Sequence, residues 1–390
     1  MPPSGDPWLF YSLLHPRPMP PTAAPAPSED PFAWAHRTPG IAWMSQNTNT
    51  LPTSPRIDEA ILAAVQAGKH HLYPIQKGEP RLVELVRADL GVPQEWGLIL
   101  GHGGLEALYA MNRALFAAHD EVICSDPSFL PIHKQVQLGN AKPVELPIYA
   151  PPWKLTAARI EEAITPRTKA ILLIDPINPL GTAYTREEVQ AIAELAKARK
   201  VTLIHDVTYR DFSDHQTLAN EFYPEGTIIV YSFSKNCGLA GMRMGALAAP
   251  PALYEKIKPF TVSTLGINVL AQAAGIAALE TKKEWMPRVK QQSRKNQAII
   301  QEAVAKTDGC FLPVYPSHAN LFVIDVSATR LDPADIERTM LYEHKVFVRG
   351  GAYVSPRFGE RFVRVSFTVP EEDCRRFAEA WVATVEGLQR

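Results

Sequence analysis

The stretch Tyr231-Ser232-Phe233-Ser234-Lys235-Asn236-Cys237-Gly238-Leu239-Ala240-Gly241-Met242-Arg243-Met244-Gly245 gathers one amine, two hydroxyls and one guanidinium around a glycine-rich turn. It follows an apolar run, Ile228-Ile229-Val230-Tyr231, which reads as a buried strand. A lone lysine after a strand is ordinarily a solvated surface residue. Here its neighbours suit a lysine that binds an aldehyde covalently while Ser232, Ser234 and Arg243 hold a phosphate. A lysine at its free pKa is protonated and non-nucleophilic near neutrality, so it needs a desolvated or cationic setting to react. The strand end and Arg243 can supply both.

The pattern Ser-x-Ser-Lys-x-x-Gly-Leu-Ala-Gly-x-Arg-x-Gly resembles the cofactor-lysine segment of fold-type I pyridoxal-phosphate enzymes, specifically the class I/II aminotransferases. The resemblance implies pyridoxal 5'-phosphate held as a Schiff base on Lys235. That cofactor performs the difficult step itself, because its protonated ring accepts the electrons left when a bond to the amino acid's Cα breaks. The protein has to supply an anion for the ring nitrogen, a phosphate cradle and a carboxylate clamp.

Candidates for these parts follow in order. Asp206 ends the strand signal Val201-Thr202-Leu203-Ile204, and open α/β sheets bind ligands at strand C-terminal ends. With Tyr209 it resembles the family's Asp-x-x-Tyr element, in which the acid pairs the ring nitrogen and the tyrosine donates to the phenolic oxygen. Val207 stands where the family more often has Glu. Asn178, in Asp175-Pro176-Ile177-Asn178-Pro179-Leu180-Gly181-Thr182, lies in a Pro/Gly turn and resembles the asparagine that contacts the cofactor phenolate and the substrate. Gly103, Gly104 and Leu105 open a helix after the strand Leu98-Ile99-Leu100, and backbone N–H groups at a helix start favour an anion. Phe129, after Asp126-Pro127-Ser128, resembles the ring that stacks on the pyridine face. Arg364, in the alternating run Arg361-Phe362-Val363-Arg364-Val365-Ser366-Phe367-Thr368, matches the arginine that grips the α-carboxylate. Arg361 is its rival on the opposite strand face. Tyr73 resembles the tyrosine that reaches the phosphate of a neighbouring subunit, which implies a homodimer with shared sites.

These residues need a framework. From Arg56 to about residue 250, strand signals alternate with helices such as the capping-box start Thr185-Arg186-Glu187-Glu188, with Val189, Ile192, Ala193 and Ala196 on one face. Alternation of this kind implies a mostly parallel sheet covered by helices on both faces. The expected fold class is α/β: a large, aspartate-aminotransferase-like domain at 51–284 and a smaller α+β domain at 285–390. Residues 1–50 read as an extended Pro-rich arm whose Trp8, Phe10, Trp34 and Trp43 could anchor on a partner subunit or beside the site mouth.

The chain has 390 residues and a formal net charge of −1, which argues against a polyanion-binding surface and nucleic acid. No apolar run approaches the roughly 20 residues needed to span a bilayer, and no secretory h-region opens the sequence. Cys124, Cys237, Cys310 and Cys374 are scattered without metal-ligand spacing and fit reduced thiols in the cytoplasm. Cys237 reads as a small filler beside Lys235.

The resemblance implies transfer of an amino group between an amino acid and a 2-oxo acid. A same-cofactor decarboxylase, lyase, cyclase or oxidase would use identical site residues. Asn47-Thr48-Asn49-Thr50-Leu51-Pro52-Thr53-Ser54-Pro55 resembles the Asn-rich opening of histidinol-phosphate aminotransferases and threonine-phosphate decarboxylases. Candidate readers of a substrate side chain are His15, Arg17, Arg37, His133 and Lys134. A cofactor-sensing regulator with a DNA-binding domain is a poor fit, because the Pro-rich N-terminus cannot hold a winged helix.

Overall fold

In the computed structural model, which describes residues 30–214, 216–261 and 265–390, the chain begins with helix α1 (Pro31–Arg37) and the short strand β1 (Ala42–Trp43). Helices α2 (Pro55–Gln66) and α3 (Pro80–Leu90) lead to β2 (Gly97–Gly101), α4 (Gly104–Leu115), β3 (Glu121–Asp126), α5 (Leu130–Leu138) and β4 (Lys142–Pro147). Then come α6 (Ala157–Ala163), β5 (Thr168–Ile174), α7 (Arg186–Arg199), β6 (Thr202–Asp206), β7 (Thr227–Ser232), β8 (Gly245–Ala249) and α8 (Pro251–Ile257). The last part comprises α9 (Val269–Val304), β9 (Leu321–Asp325), α10 (Pro333–Tyr342), β10 (Val346–Phe347), β11 (Arg349–Gly350), β12 (Phe362–Ser366) and α11 (Glu371–Leu388).

Seven strands form one sheet in the order β2-β8-β7-β6-β5-β3-β4. Pairs among β4, β3, β5, β6 and β7 are parallel, and β8 runs antiparallel to both β7 and β2. The strands read as continuous apolar runs because both faces are buried. Ala170, Leu172, Ile174, Ile204 and Val230 pack on α4 and α5, while Ile171, Leu173 and Leu203 pack on α6 and α7. The odd–even split is the period-two geometry of a strand. Register aligns Ile174 with Asp206 and Asp206 with Val230, so β5, β6 and β7 end at one edge.

Local chemistry sets the element ends. Thr185 accepts from the Glu188 backbone N–H and Glu188 caps back, starting α7 as expected, with Val189, Ile192, Ala193 and Ala196 buried. The 36-residue helix α9 crosses residue 284, so no linker separates the two halves of the chain. Its early turns pack in the core with α2 and α3, and its last turns join Phe322, Ile324, Val363, Val365 and Trp381 in the C-terminal core. There β11, β12 and β9 make an antiparallel sheet.

The N-terminal region departs from an extended arm. Within residues 30–50, α1 is capped by Asp30 and β1 pairs in parallel with β10. Trp34 packs edge-on against Tyr342 at 4.9 Å, and Trp43 lies 5.8 Å from Phe347. These two anchors find partners within their own chain, because apolar positions along α10 and β10 offer a matching surface. Trp8 and Phe10 lie outside the described residues. Among the described residues, no helix is long and apolar enough to cross a membrane.

Candidate active site

The turn between β2 and α4 forms a tight cradle lined by glycine backbone. Gly103 has φ +82, and a Cβ there would collide with the Arg243 guanidinium. A Cβ on Gly245 would overlap the backbone N of Gly104. Only glycine lets β8, the start of α4 and Arg243 approach so closely. The first N–H groups of a helix have no intrahelical partner and sit at its positive end. Ser232 and Ser234 come from the end of β7, with the Ser234 N–H donating to Ser232 Oγ at 3.2 Å. Arg243 is held at φ 54, a left-handed conformation that a non-glycine residue adopts at a cost. Its Nη1 donates to Ala240 O at 3.0 Å and reaches Ser234 Oγ at 3.5 Å.

Beyond this cradle lies a cavity of ≈ 280 Å³. Lys235 lines it, with Nζ donating to Gln46 O at 3.1 Å. Burial pulls the lysine down to about 7, the Arg364 and Arg243 charges add to the effect, and Asp206 opposes it. A fraction of the amine is therefore neutral near pH 7, as a nucleophile or proton acceptor requires. Asp206 is buried, and Oδ1 accepts from the Thr208 N–H at 3.0 Å and from Thr208 Oγ1 at 2.6 Å. Burial raises its carboxyl against the pull of those bonds and of the His205 and Lys235 charges, so a cation at this carboxylate would be strongly favoured. Burial likewise pushes the Tyr209 phenol up to about 12, while the hydrogen bond donated by Asn47 Nδ2 at 3.2 Å pulls the other way.

At the far wall, Arg364 donates through Nη1 to Asn178 Oδ1 at 3.2 Å and through Nη2 to Ser45 O at 2.6 Å. Its buried Nε has no hydrogen-bond partner among the described residues. Arg361 turns elsewhere, lying 3.6 Å from Asp325 and 4.8 Å from the centre of the Tyr149 ring. Arg361 lies in the turn Gly359–Arg361 just before β12, whereas Arg364 is on the strand, and the two point apart. Asn47, at φ 56, donates its backbone N–H to Ser366 Oγ and receives the Ser366 hydroxyl at Oδ1, which ties the N-terminal segment to β12.

The cavity gathers Gly104, Leu105, Phe129 and Asn178 with Asp206, Tyr209, Ser232, Ser234, Lys235, Arg243 and Arg364. Gly103 stands directly behind Gly104. Tyr73 is 82% exposed and does not line the cavity of its own chain. Three of the expected side-chain readers are elsewhere. His133 is buried with Nδ1 2.8 Å from Glu145, because its side of α5 packs on β4. Lys134 and Arg37 are exposed and line no part of the cavity. His15 and Arg17 lie outside the described residues.

Sequence reasoning missed Arg349, Tyr353, Phe32 and Thr208, all of which line the cavity. Arg349 pairs directly across from Arg364 in the β11–β12 register. Its guanidinium lies between the rings of Phe32 at 5.0 Å and Tyr353 at 4.6 Å, with a long 3.4 Å ion pair to Glu337. A charge closing the apolar run Val346-Phe347-Val348 was the available signal.

The residues present fit a phosphorylated aromatic aldehyde. The glycine cradle closes on Arg243, burial brings the lysine down to about 7, and the buried Arg364 guanidinium keeps one unpartnered N–H at Nε. Comparison with known proteins agrees. The family profile "Aminotransferase class I and II" matches residues 39–380. A histidinol-phosphate aminotransferase of Symbiobacterium thermophilum is 30% identical over 353 residues, covering 88% of this chain and 90% of the relative. An aspartate aminotransferase of Pyrococcus horikoshii is 27% identical over 333 residues, covering 82% and 84%. The solved aspartate aminotransferase of Thermus thermophilus with maleate superposes with a TM-score of 0.78 at 26% identity, covering 91% of this chain and 95% of that one. The chain belongs to the class I and II aminotransferases, pyridoxal-phosphate-dependent enzymes with the aspartate-aminotransferase fold.

Proposed function

We propose that this aminotransferase takes amino acids carrying a second anionic group and exchanges their amino group with a 2-oxo acid, using Lys235 as attachment and proton-moving residue. The observation that carries the reading is the meeting of Lys235, Arg364 and Arg349 on one cavity. Arg364 offers a guanidinium for the α-carboxylate, and Arg349 stands one strand away as a second cation. A relative named for aspartate supports the choice of an anionic side chain.

Bound cofactor supplies an aromatic ring that delocalises the electron pair left at Cα when its proton departs. The protein's own contribution follows from the site. Arg243, Ser232, Ser234 and the N–H groups of Gly104 and Leu105 hold the phosphate. Asp206 supplies the anion that keeps the ring nitrogen protonated. Phe129 would cover one face of the ring, while Tyr209 and Asn178 would hold its phenolic oxygen. Arg364 fixes the carboxylate so that the Cα–H bond faces Lys235, whose neutral amine takes the proton. The large unit, 51–284, holds the cofactor; the small unit, 285–390, joined by residues 30–50, brings the carboxylate clamp.

We also propose a homodimer in the cytoplasm. Tyr73 stands beside exposed Leu72 and Ile75, with exposed Leu265 nearby in the chain fold, an apolar patch suited to a second copy. All four cysteines are free thiols, which supports a reducing compartment.

The test is a donor panel on wild type and Arg349→Ala. The variant is expected to raise KM for acidic or phosphorylated donors about 10- to 100-fold, the worth of a charge-assisted hydrogen bond. Apolar donors should be little affected. Equal effects on both donor classes would defeat the substrate assignment.

A further inference from the structure

Behind the site lies an ionic cluster in which Arg210 and Asp211 are buried and Asp89 and Lys282 partly so, and none of its members lines the cavity. The Lys282 ammonium is 2.7 Å from Asp211 Oδ1 and 2.7 Å from Asp89 Oδ1. Arg210 Nη2 pairs with Asp89 Oδ2 at 2.7 Å. Two acids thus face two bases, and the set is neutral. Both cations lie over the ring of the fully buried Tyr231, at 5.6 Å for Arg210 and 5.9 Å for Lys282. Asn236 completes the arrangement: its amide donates to Asp211 and, at 2.9 Å, to the Tyr231 hydroxyl. Burial pulls the Lys282 ammonium down, but Asp211 and Asp89 outweigh it and leave it above the usual lysine range.

Stability alone explains such a cluster poorly. Burying Arg210 and Asp211 and partly desolvating Asp89 and Lys282 is expensive, and well-packed apolar residues of similar volume often hold a fold as well or better. Placement offers a better reason. Asn236 follows Lys235 directly, and Arg210 and Asp211 follow Tyr209 directly. The Asp211–Asn236 bond therefore joins the backbone that carries the lysine to the backbone that carries the tyrosine. Asp89 at the end of α3 and Lys282 in α9 anchor that junction to the large-domain core. The other side of the lysine turn is held separately, since Asn49 Nδ2 donates to Asn236 O at 3.0 Å and the Asn49 N–H donates to Lys235 O at 3.1 Å.

We propose that Asp211 and Asn236 act as a positioning pair: Asp211, fixed by Lys282, holds Asn236 and so sets the turn that aims the Lys235 amine beside Tyr209. The proposal rests on the reading of Lys235 as the attachment lysine. Neither residue of the pair lines the cavity, so the effect passes through the placement of Lys235.

The test reloads cofactor-free protein with pyridoxal phosphate. It measures the rate of covalent attachment by borohydride trapping and, separately, non-covalent uptake. Asp211→Ala and Asn236→Ala should each slow attachment about tenfold, as expected for a small misplacement of a reacting group. Non-covalent uptake should hold within about twofold, because the phosphate cradle is intact. In the loaded enzyme, kcat should fall while KM for the amino donor stays level. The double variant should attach cofactor no more slowly than the worse single, since the Asp211–Asn236 bond is already lost in each. A purely structural role predicts lowered thermal stability with a wild-type attachment rate in the folded protein, and losses that multiply in the double variant; either result overturns the proposal. If Asp211→Ala fails to fold because it strands Lys282, Asn236→Ala decides, since it leaves all four charges in place. Peptide mapping of the trapped wild type keeps the two readings apart. A label on another lysine defeats the assignment of Lys235 itself, whereas a label on Lys235 with unaltered variant rates defeats only the positioning pair.

Discussion

At the scale of single residues, the site works by placing charges where water is scarce. Lys235 loses its proton near pH 7 because burial and two guanidinium groups outweigh Asp206. This has a consequence for the cofactor-free protein. In the unfolded chain the amine titrates at its ordinary value of 10.5, and in the folded chain at about 7. Between those values the unfolded state binds more protons, so this group makes stability rise as pH increases through that window. Below about pH 7 both states are protonated and the burial of the charged amine costs its full amount. Lys235→Met should therefore be more stable than wild type at pH 7, with the gap narrowing towards pH 10.5. Thermal unfolding of the two cofactor-free proteins across this range is the measurement, and a pH-independent gap would refute the shifted lysine.

At the scale of elements, three strand ends and one helix start make the site. Parallel β5, β6 and β7 end together, so Asp206 and Lys235 arrive at one edge from neighbouring strands. The approach of β8 to α4 shapes the proposed phosphate cradle, and Gly245 is its tightest point. Gly245→Ala would push the helix start away from Arg243. Cofactor affinity is expected to fall about 10- to 100-fold, the cost of losing one or two charge-assisted bonds. Thermal stability without cofactor should fall by about 1–3 kcal/mol from overpacking. Titration of the apoprotein followed by absorbance would check the first, and unchanged affinity would remove Gly245 from the cradle.

At the scale of the whole molecule, the site is shared between distant parts of the chain. Asn47 reaches Ser366 across 319 residues, and Arg364 reaches Ser45 across the same span. The N-terminal segment thus ties β12 to the lysine turn, since the Asn49 N–H also donates to Lys235 O. Tyr73, exposed and remote from its own cavity, gives the assembly a test. Chains carrying Tyr73→Ala and chains carrying Lys235→Ala are each expected to be poorly active. Mixed under exchanging conditions, they should recover part of the activity, because one site of each hybrid has both residues intact. Hybrids shown to form by mass spectrometry but no more active than the parents would rule out a shared site.

Much of this was legible in the sequence because it is written in short-range terms. Strand signals ending in Asp206 or Ser232, glycines opening α4 and the capping box of α7 depend on neighbours within a few residues, where turn chemistry and periodicity operate. The choice between Arg361 and Arg364 needed the resemblance beside the alternation, and the structure shows the physical difference: one faces the cavity and the other Asp325. Other features had no local sign. Arg349 becomes a site residue only because β11 pairs with β12 in a register that sets it opposite Arg364. His133 leaves the site because its face of α5 meets β4. The ionic cluster joins Asp89 to Arg210 across 121 residues and to Lys282 across 193. Charges so far apart meet only after sheet order and helix packing have brought their elements together. The residues proposed to do the chemistry were thus marked by local sequence, whereas Arg349 and the ionic cluster reach the site only through the tertiary fold.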